Sequence, residues 1–182
     1  MNNKSMWRHV PNILTILRLI AVPVMALLMI SGKWTESLVV FAAAELTDIL
    51  DGYIARKYNF ITNFGKLADP FADKAIQLTA LLLLASGGRL PYYFFFILLA
   101  KEAAMIIGSL FFLHREIVVS SNWVGKAAAA ILFTGIVLAF LNIPAAVHIM
   151  WAGTAVSIAA SIVYLNCYVK QLKSPGTGRE AD

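Results

Sequence analysis

Four aspartates, Asp48, Asp51, Asp69 and Asp73, stand in a stretch from Leu46 to Lys74 whose surroundings are rich in apolar residues. On a helix, the step of three from Asp48 to Asp51 and the step of four from Asp69 to Asp73 each return a side chain to nearly the same face, about 5–6 Å apart at Cβ. Each pair therefore makes one acidic patch. Two such patches facing each other repel strongly at low effective dielectric, so the arrangement makes sense when cations neutralise it. Carboxylate oxygens are hard donors suited to Mg²⁺ or Mn²⁺, and facing helices can hold two such ions. Taken singly the residues have plainer readings. Asp69 before Pro70 reads as an N-cap with proline at the first helical position, Gly52 as a packing glycine, and the other acids as the lining of a pore.

Taken together they form a longer pattern: Asp48, two residues, Asp51-Gly52, two residues, Ala55-Arg56, eight residues, Gly65, three residues, Asp69, three residues, Asp73. This resembles the signature of the CDP-alcohol phosphotransferase (CDP-alcohol phosphatidyltransferase) family at all eight of its positions. The resemblance implies a lipid-linked substrate, CDP-diacylglycerol, whose pyrophosphate binds two metal ions while its acyl chains stay in the bilayer. It implies Asp48, Asp51 and Asp69 as metal ligands and Asp73 as both ligand and general base. Phosphoryl transfer needs charge neutralised around the phosphate and a base for the attacking hydroxyl, which two metals and a carboxylate supply. The same carry-over places Gly52, Ala55, Arg56, Thr62 and Gly65 at the nucleotide. Small residues let a flat base approach the backbone, and a guanidinium fork holds two phosphate oxygens; without the signature, Gly52 and Ala55 would be packing residues and Arg56 a plain topogenic charge. Pro11 to Arg18, PNILTILR, resembles the family's opening segment, which puts Asn12 and Thr15 near the nucleotide. The alternative there is an ordinary helix start, with Asn12 as cap and Arg18 snorkelling. Glu45, one turn before Asp48, is either an outer acid of the site or a hydrogen-bond partner in helix packing.

The acceptor is expected to be glycerol 3-phosphate. Lys101, Arg115 and Lys126 put positive charge where a small dianion would enter, and Ala100 to Lys126 resembles the branch of the family that uses this acceptor. Lys101-Glu102 could equally be a mutual structural pair at membrane depth. The segment departs from the branch at Lys101 and Ser109, where arginine and another basic residue are usual, and at Ala128, which replaces a second lysine after Gly125-Lys126. A cardiolipin synthase of the same family, with phosphatidylglycerol as acceptor, would need less phosphate-binding charge. A small cation transporter with acids lining its path is the reading outside enzymes. The glycine-x-glycine-aspartate sequence of an intramembrane aspartyl protease is absent.

The elements that must position these residues follow from composition. A chain of 182 residues that is 60% hydrophobic and 14% charged, with a mean hydropathy of +0.76, belongs to the integral membrane class. The net charge of +5 comes from basic residues that flank apolar segments rather than forming a polar stripe, which argues against nucleic acid. The one cysteine, Cys167, excludes internal disulfides, and His9, His114 and His148 assemble into no metal set. The expected fold is all-α and polytopic, with Met1 to Val10 an interfacial segment and six transmembrane helices. These run over about Ile13–Ile30, Leu38–Tyr58, Lys66–Ala85, Tyr92–Leu113, Val124–Leu141 and Ala145–Val169. Ser31 to Ser37 is expected to be a polar turn, residues 1–173 one membrane domain, and residues 174–182 a polar disordered tail.

Six crossings leave both termini on one side. Lys4, Arg8, Arg56, Lys57, Lys66, Arg115, Lys126, Lys170 and Lys173 share that side, against Lys33 and Arg89 opposite, so the termini are expected in the cytoplasm and the protein in the plasma membrane. The aspartates then open toward the compartment that holds nucleotides and magnesium. The family resemblance further implies a homodimer.

Overall fold

The chain alternates long apolar runs with short polar punctuation, and each run folds as one α-helix. The computed structural model describes the backbone of residues 10–58, 63–112 and 123–173, and the side chains of 13–49, 71–108, 123–163 and 165. Six helices are present among the described residues, with no strand: α1 Val10–Ile30, α2 Trp34–Tyr58, α3 Asn63–Ser86, α4 Tyr92–Phe112, α5 Trp123–Phe140 and α6 Ala145–Lys173. The six expected helices are therefore found, within a few residues at most ends. The expected turn from Ser31 to Ser37 is shorter than its composition implied, because Trp34 to Ser37 are helical. Glu36 lies in that first turn, where a negative charge favours the helix dipole, and Ser37 donates from Oγ to the Lys33 carbonyl at 2.6 Å. Asp69 and Pro70 likewise lie inside α3 rather than at its cap, which rules out the plain N-cap reading of that pair.

The helices α1, α3 and α5 end in the same closure. After α1, Gly32 donates to the Met29 carbonyl and Lys33 to that of Leu28; after α3, Gly88 donates to Ala85 and Arg89 to Leu84; after α5, Asn142 donates to Ala139 and Ile143 to Leu138. This is the Schellman pattern, whose turn residue must be left-handed. Gly32 and Gly88 have φ of 75° and 71°, and Asn142 fills the third such position at 56°.

Two compact units divide the chain: Met1–Tyr92 with Ala139–Asn142, and Tyr93–Leu138 with Ile143–Asp182. In the first, α1 lies against both α2 and α3, which touch each other far less. Its buried residues repeat at helical spacing: Thr15, Arg18, Met25 and Met29 on α1, Ser37, Phe41 and Ala44 on α2, and Ala72, Ile76, Ala80 and Leu84 on α3. At one end Arg89 donates to the Phe140 carbonyl and stacks 4.1 Å over the Trp34 ring, and a Cβ on Gly87 would meet that ring. In the second unit α5 and α6 approach closely at glycines. A Cβ on Gly135 would lie 2.7 Å from Met150 Sδ, and one on Gly153 would lie 3.0 Å from the Leu132 backbone nitrogen, the small-residue contact that brings membrane helices together.

On α1 the distribution of polarity differs from that of a water-soluble bundle: the large apolar Ile13, Ile16, Leu17, Ile20, Val24, Leu27 and Ile30 are exposed, while Thr15 and Arg18 are buried beside Met25 and Met29. Hydrocarbon solvates the first set and cannot solvate the second. Among the described residues three stretches, Ile13–Ile30, Trp123–Phe140 and Ala145–Val163, are long and apolar enough to cross a bilayer by length and composition. The acids of α2 and α3 dilute their apolar runs, whereas the only charged residues among the 21 of α4 are Lys101 and Glu102. The chain is an all-α polytopic membrane protein.

Candidate functional site

The first unit brings its charges together from three helices. On α2 the buried register of Ser37, Phe41 and Ala44 reaches position 48 at its next step. There Asp48 Oδ1 lies 2.6 Å from Arg18 Nη1 of α1, with the arginine side chain 1% exposed and the aspartate 38%. On α3, Asp73 lies one residue beyond buried Ala72 and pairs with Lys74 at 3.1 Å, both side chains part-exposed. Half-buried Glu45 lies within electrostatic reach of Asp73, Asp48, Lys74 and Arg18. Three carboxylates and two cations from α1, α2 and α3 thus share one neighbourhood.

Other expected site residues are placed by backbone alone. Asp51, Gly52, Ala55 and Arg56 occupy the last two turns of α2, Gly65 and Asp69 the first two turns of α3, and Asn12 the first turn of α1. Their side chains lie outside the described residues, as do Thr62 and Arg115 entirely. Thr15 is wholly buried on α1, three residues before Arg18. Among the described residues no three Asp, Glu, His or Cys side chains form a metal-holding group, and one member of each aspartate pair falls outside that set. Asp48 and Asp73 offer carboxylate oxygens, donors of the kind that a hard divalent cation takes.

Of the expected acceptor residues, Lys101 and Lys126 lie in the second unit. Lys101 Nζ is 2.6 Å from Glu102 Oε1 and donates to Ser157 Oγ of α6 at 2.9 Å, so its charge is locally balanced. Lys126 is exposed on the first turn of α5, with Nζ 5.4 Å from the Trp123 ring centroid. The structure does not bring these two into contact with each other.

Two members of the charged neighbourhood carry more than sequence reasoning gave them. Arg18 was open to a snorkelling role, yet it is buried and paired with the first aspartate of the signature. An arginine two turns into an otherwise apolar helix was the available signal. Glu45 stands among the acids, and its one-turn offset from Asp48 pointed there.

The chain belongs to the CDP-alcohol phosphatidyltransferase family, whose model matches residues 8–159. Enzymes of this family are generally metal-dependent. Over 72 residues the chain is 47% identical to the CDP-diacylglycerol–glycerol-3-phosphate 3-phosphatidyltransferase of Rickettsia typhi, covering 38% of this chain and 40% of that protein. Proteins of the same name from Wigglesworthia glossinidia brevipalpis and Bacillus subtilis match at 34% identity over 123 residues and 36% over 90. These cover 65% of this chain and 61% of the relative in the first case, and 41% and 47% in the second. The matches thus span less than two thirds of each relative's length.

Proposed function

We propose that this protein transfers the phosphatidyl group of CDP-diacylglycerol to the hydroxyl of glycerol 3-phosphate and releases CMP, using two Mg²⁺ or Mn²⁺ ions. The observation that carries this reading is the eight-position acidic signature, whose Asp48 and Asp73 share one charged neighbourhood across α2 and α3. The shared enzyme name of relatives from several bacteria supports the acceptor.

In this reading Asp48, Asp51, Asp69 and Asp73 hold the ions, which supply charge neutralisation at the phosphates when bound. Asp73 accepts the proton of the attacking hydroxyl as its oxygen bonds to the lipid-bearing phosphorus. The bond from that phosphorus to the bridging oxygen breaks, and CMP leaves with the electron pair. Arg56 and Thr62 hold the pyrophosphate, while Gly52, Ala55, Gly65, Asn12 and Thr15 shape the nucleotide site. Arg115 and Lys126 attract the acceptor's phosphate. Lys101, balanced by Glu102, contributes less. Residues 1–173 act as one membrane domain, which the family match across both compact units supports, and residues 174–182 are a polar tail. The lysine and arginine asymmetry supports cytoplasmic termini in the plasma membrane, and the active form is a homodimer.

The test is purified protein with CDP-diacylglycerol and a panel of acceptors, read as CMP release. Glycerol 3-phosphate should be preferred, and Lys126→Ala should raise KM for it more than for CDP-diacylglycerol. Preference for phosphatidylglycerol would move the protein to the cardiolipin branch. Metal transport without CMP release would remove it from the enzymes.

A further inference from the structure

Arg18 is the most deeply buried charge described, 1% exposed within the face of α1 that also buries Thr15, Met25 and Met29. A guanidinium cannot shed its charge there, so it requires a partner of opposite sign. Asp48 of α2 is that partner, at 2.6 Å, and it is 38% exposed. The pair is therefore sealed at its arginine end and accessible at its carboxylate end. As a device for stability alone it is weak, because buried ion pairs commonly give no advantage over well-packed apolar residues. What a cation fixed in a helix interface does supply is a constraint on where the carboxylate paired with it can sit.

We propose that Arg18 is a positioning residue: anchored inside α1, it holds the Asp48 carboxylate in the orientation from which that carboxylate takes a divalent cation. This inference rests on the metal-binding reading of Asp48. It makes a prediction opposite in sign to simple electrostatics. A permanent positive charge beside Asp48 repels a second cation, so if charge alone mattered, removing Arg18 would tighten metal binding. If orientation matters, removing it weakens binding, as loss of a group that orients a metal ligand does.

The experiment uses the full-length protein in detergent micelles and Mn²⁺, with free Mn²⁺ followed by electron paramagnetic resonance. Wild type, Asp48→Asn, Arg18→Gln, Arg18→Lys and the double variant Asp48→Asn/Arg18→Gln are compared. Arg18→Gln should weaken Mn²⁺ binding by about 10- to 100-fold, and Arg18→Lys should recover part of the loss by keeping an ion pair that restrains the Asp48 carboxylate. The double variant should bind no more weakly than Asp48→Asn, because Arg18 acts through Asp48 and the two effects then do not add. Unchanged or tighter binding by Arg18→Gln, with Asp48→Asn impaired, overturns the positioning role and leaves the metal reading intact. Equal Mn²⁺ binding by wild type and Asp48→Asn overturns both. If Arg18→Gln does not fold, Arg18→Lys decides the matter, because it keeps a cation beside Asp48 while changing how that cation is held. Weaker Mn²⁺ binding than wild type upholds the role, and unchanged or tighter binding refutes it.

Discussion

Removing the Asp48 carboxylate also takes an ion-pair partner from buried Arg18, so substitution there acts on stability as well as on metal binding. Asp48→Ala, Asp51→Ala and Asp69→Ala are each expected to abolish divalent-dependent CMP release. Asp48→Ala should also lower the melting temperature in detergent, since breaking a buried pair from one side costs about 3–5 kcal/mol and partial exposure of Asp48 moves this toward the low end. Wild-type CMP release in all three would sink the proposed ligand set. Asp73→Asn should keep part of its Mn²⁺ affinity and lose about 10²–10⁴-fold in rate, the span of a general base; single-turnover kinetics at saturating Mn²⁺ checks this. The aspartates were legible in the sequence because their spacing is local: three or four residues on a helix fix a shared face. The Arg18–Asp48 pair was not, because it depends on which face of α1 meets α2, and nothing within either segment specifies that contact. Glu45 lies between the two cases, since its face could be read while its company from α1 and α3 could not.

At the scale of the helix, the turns and the glycine contacts are the sensitive points. Gly88→Ala forces a Cβ into a left-handed turn residue and should cost about 1–2 kcal/mol, visible as a lower melting temperature with KM for CDP-diacylglycerol unchanged. Gly153→Ala should destabilise more than Gly135→Ala. The added methyl meets the Leu132 backbone at 3.0 Å in the first case, whereas in the second its nearest contact is the flexible end of Met150. Equal melting temperatures for these two variants would contradict the described α5–α6 contact. Helix ends could be read where glycine or Asn142 punctuates an apolar run, because those residues tolerate the backbone that a Schellman closure needs. The start of α2 could not, because Thr35, Glu36 and Ser37 have turn-like composition while also suiting a first helical turn.

For the whole molecule, chelation of divalent cations should abolish CMP release, and added Mg²⁺ or Mn²⁺ should restore it; full activity in excess EDTA would contradict the proposed chemistry. A reporter fused after Asp182 should be active only on the cytoplasmic side. Labelling of a tail cysteine by an impermeant reagent in intact cells would place the terminus outside. The membrane class could be read from composition, and the structure adds its physical form: apolar residues outward on α1, with Thr15 and Arg18 within. The division into two compact units could not be read, because apolar runs of similar length carry no mark of which neighbours they choose.

The closures after α1, α3 and α5 also govern how the protein can be handled. Each joins two helices through a few residues whose amides already serve the preceding helix, so an epitope tag, a protease site or a fluorescent-protein insertion at residues 31–33, 87–91 or 141–144 must break a helix end to be accommodated. Mapping which side of the bilayer these turns face therefore calls for single-residue probes at their outward positions, not for inserted sequence.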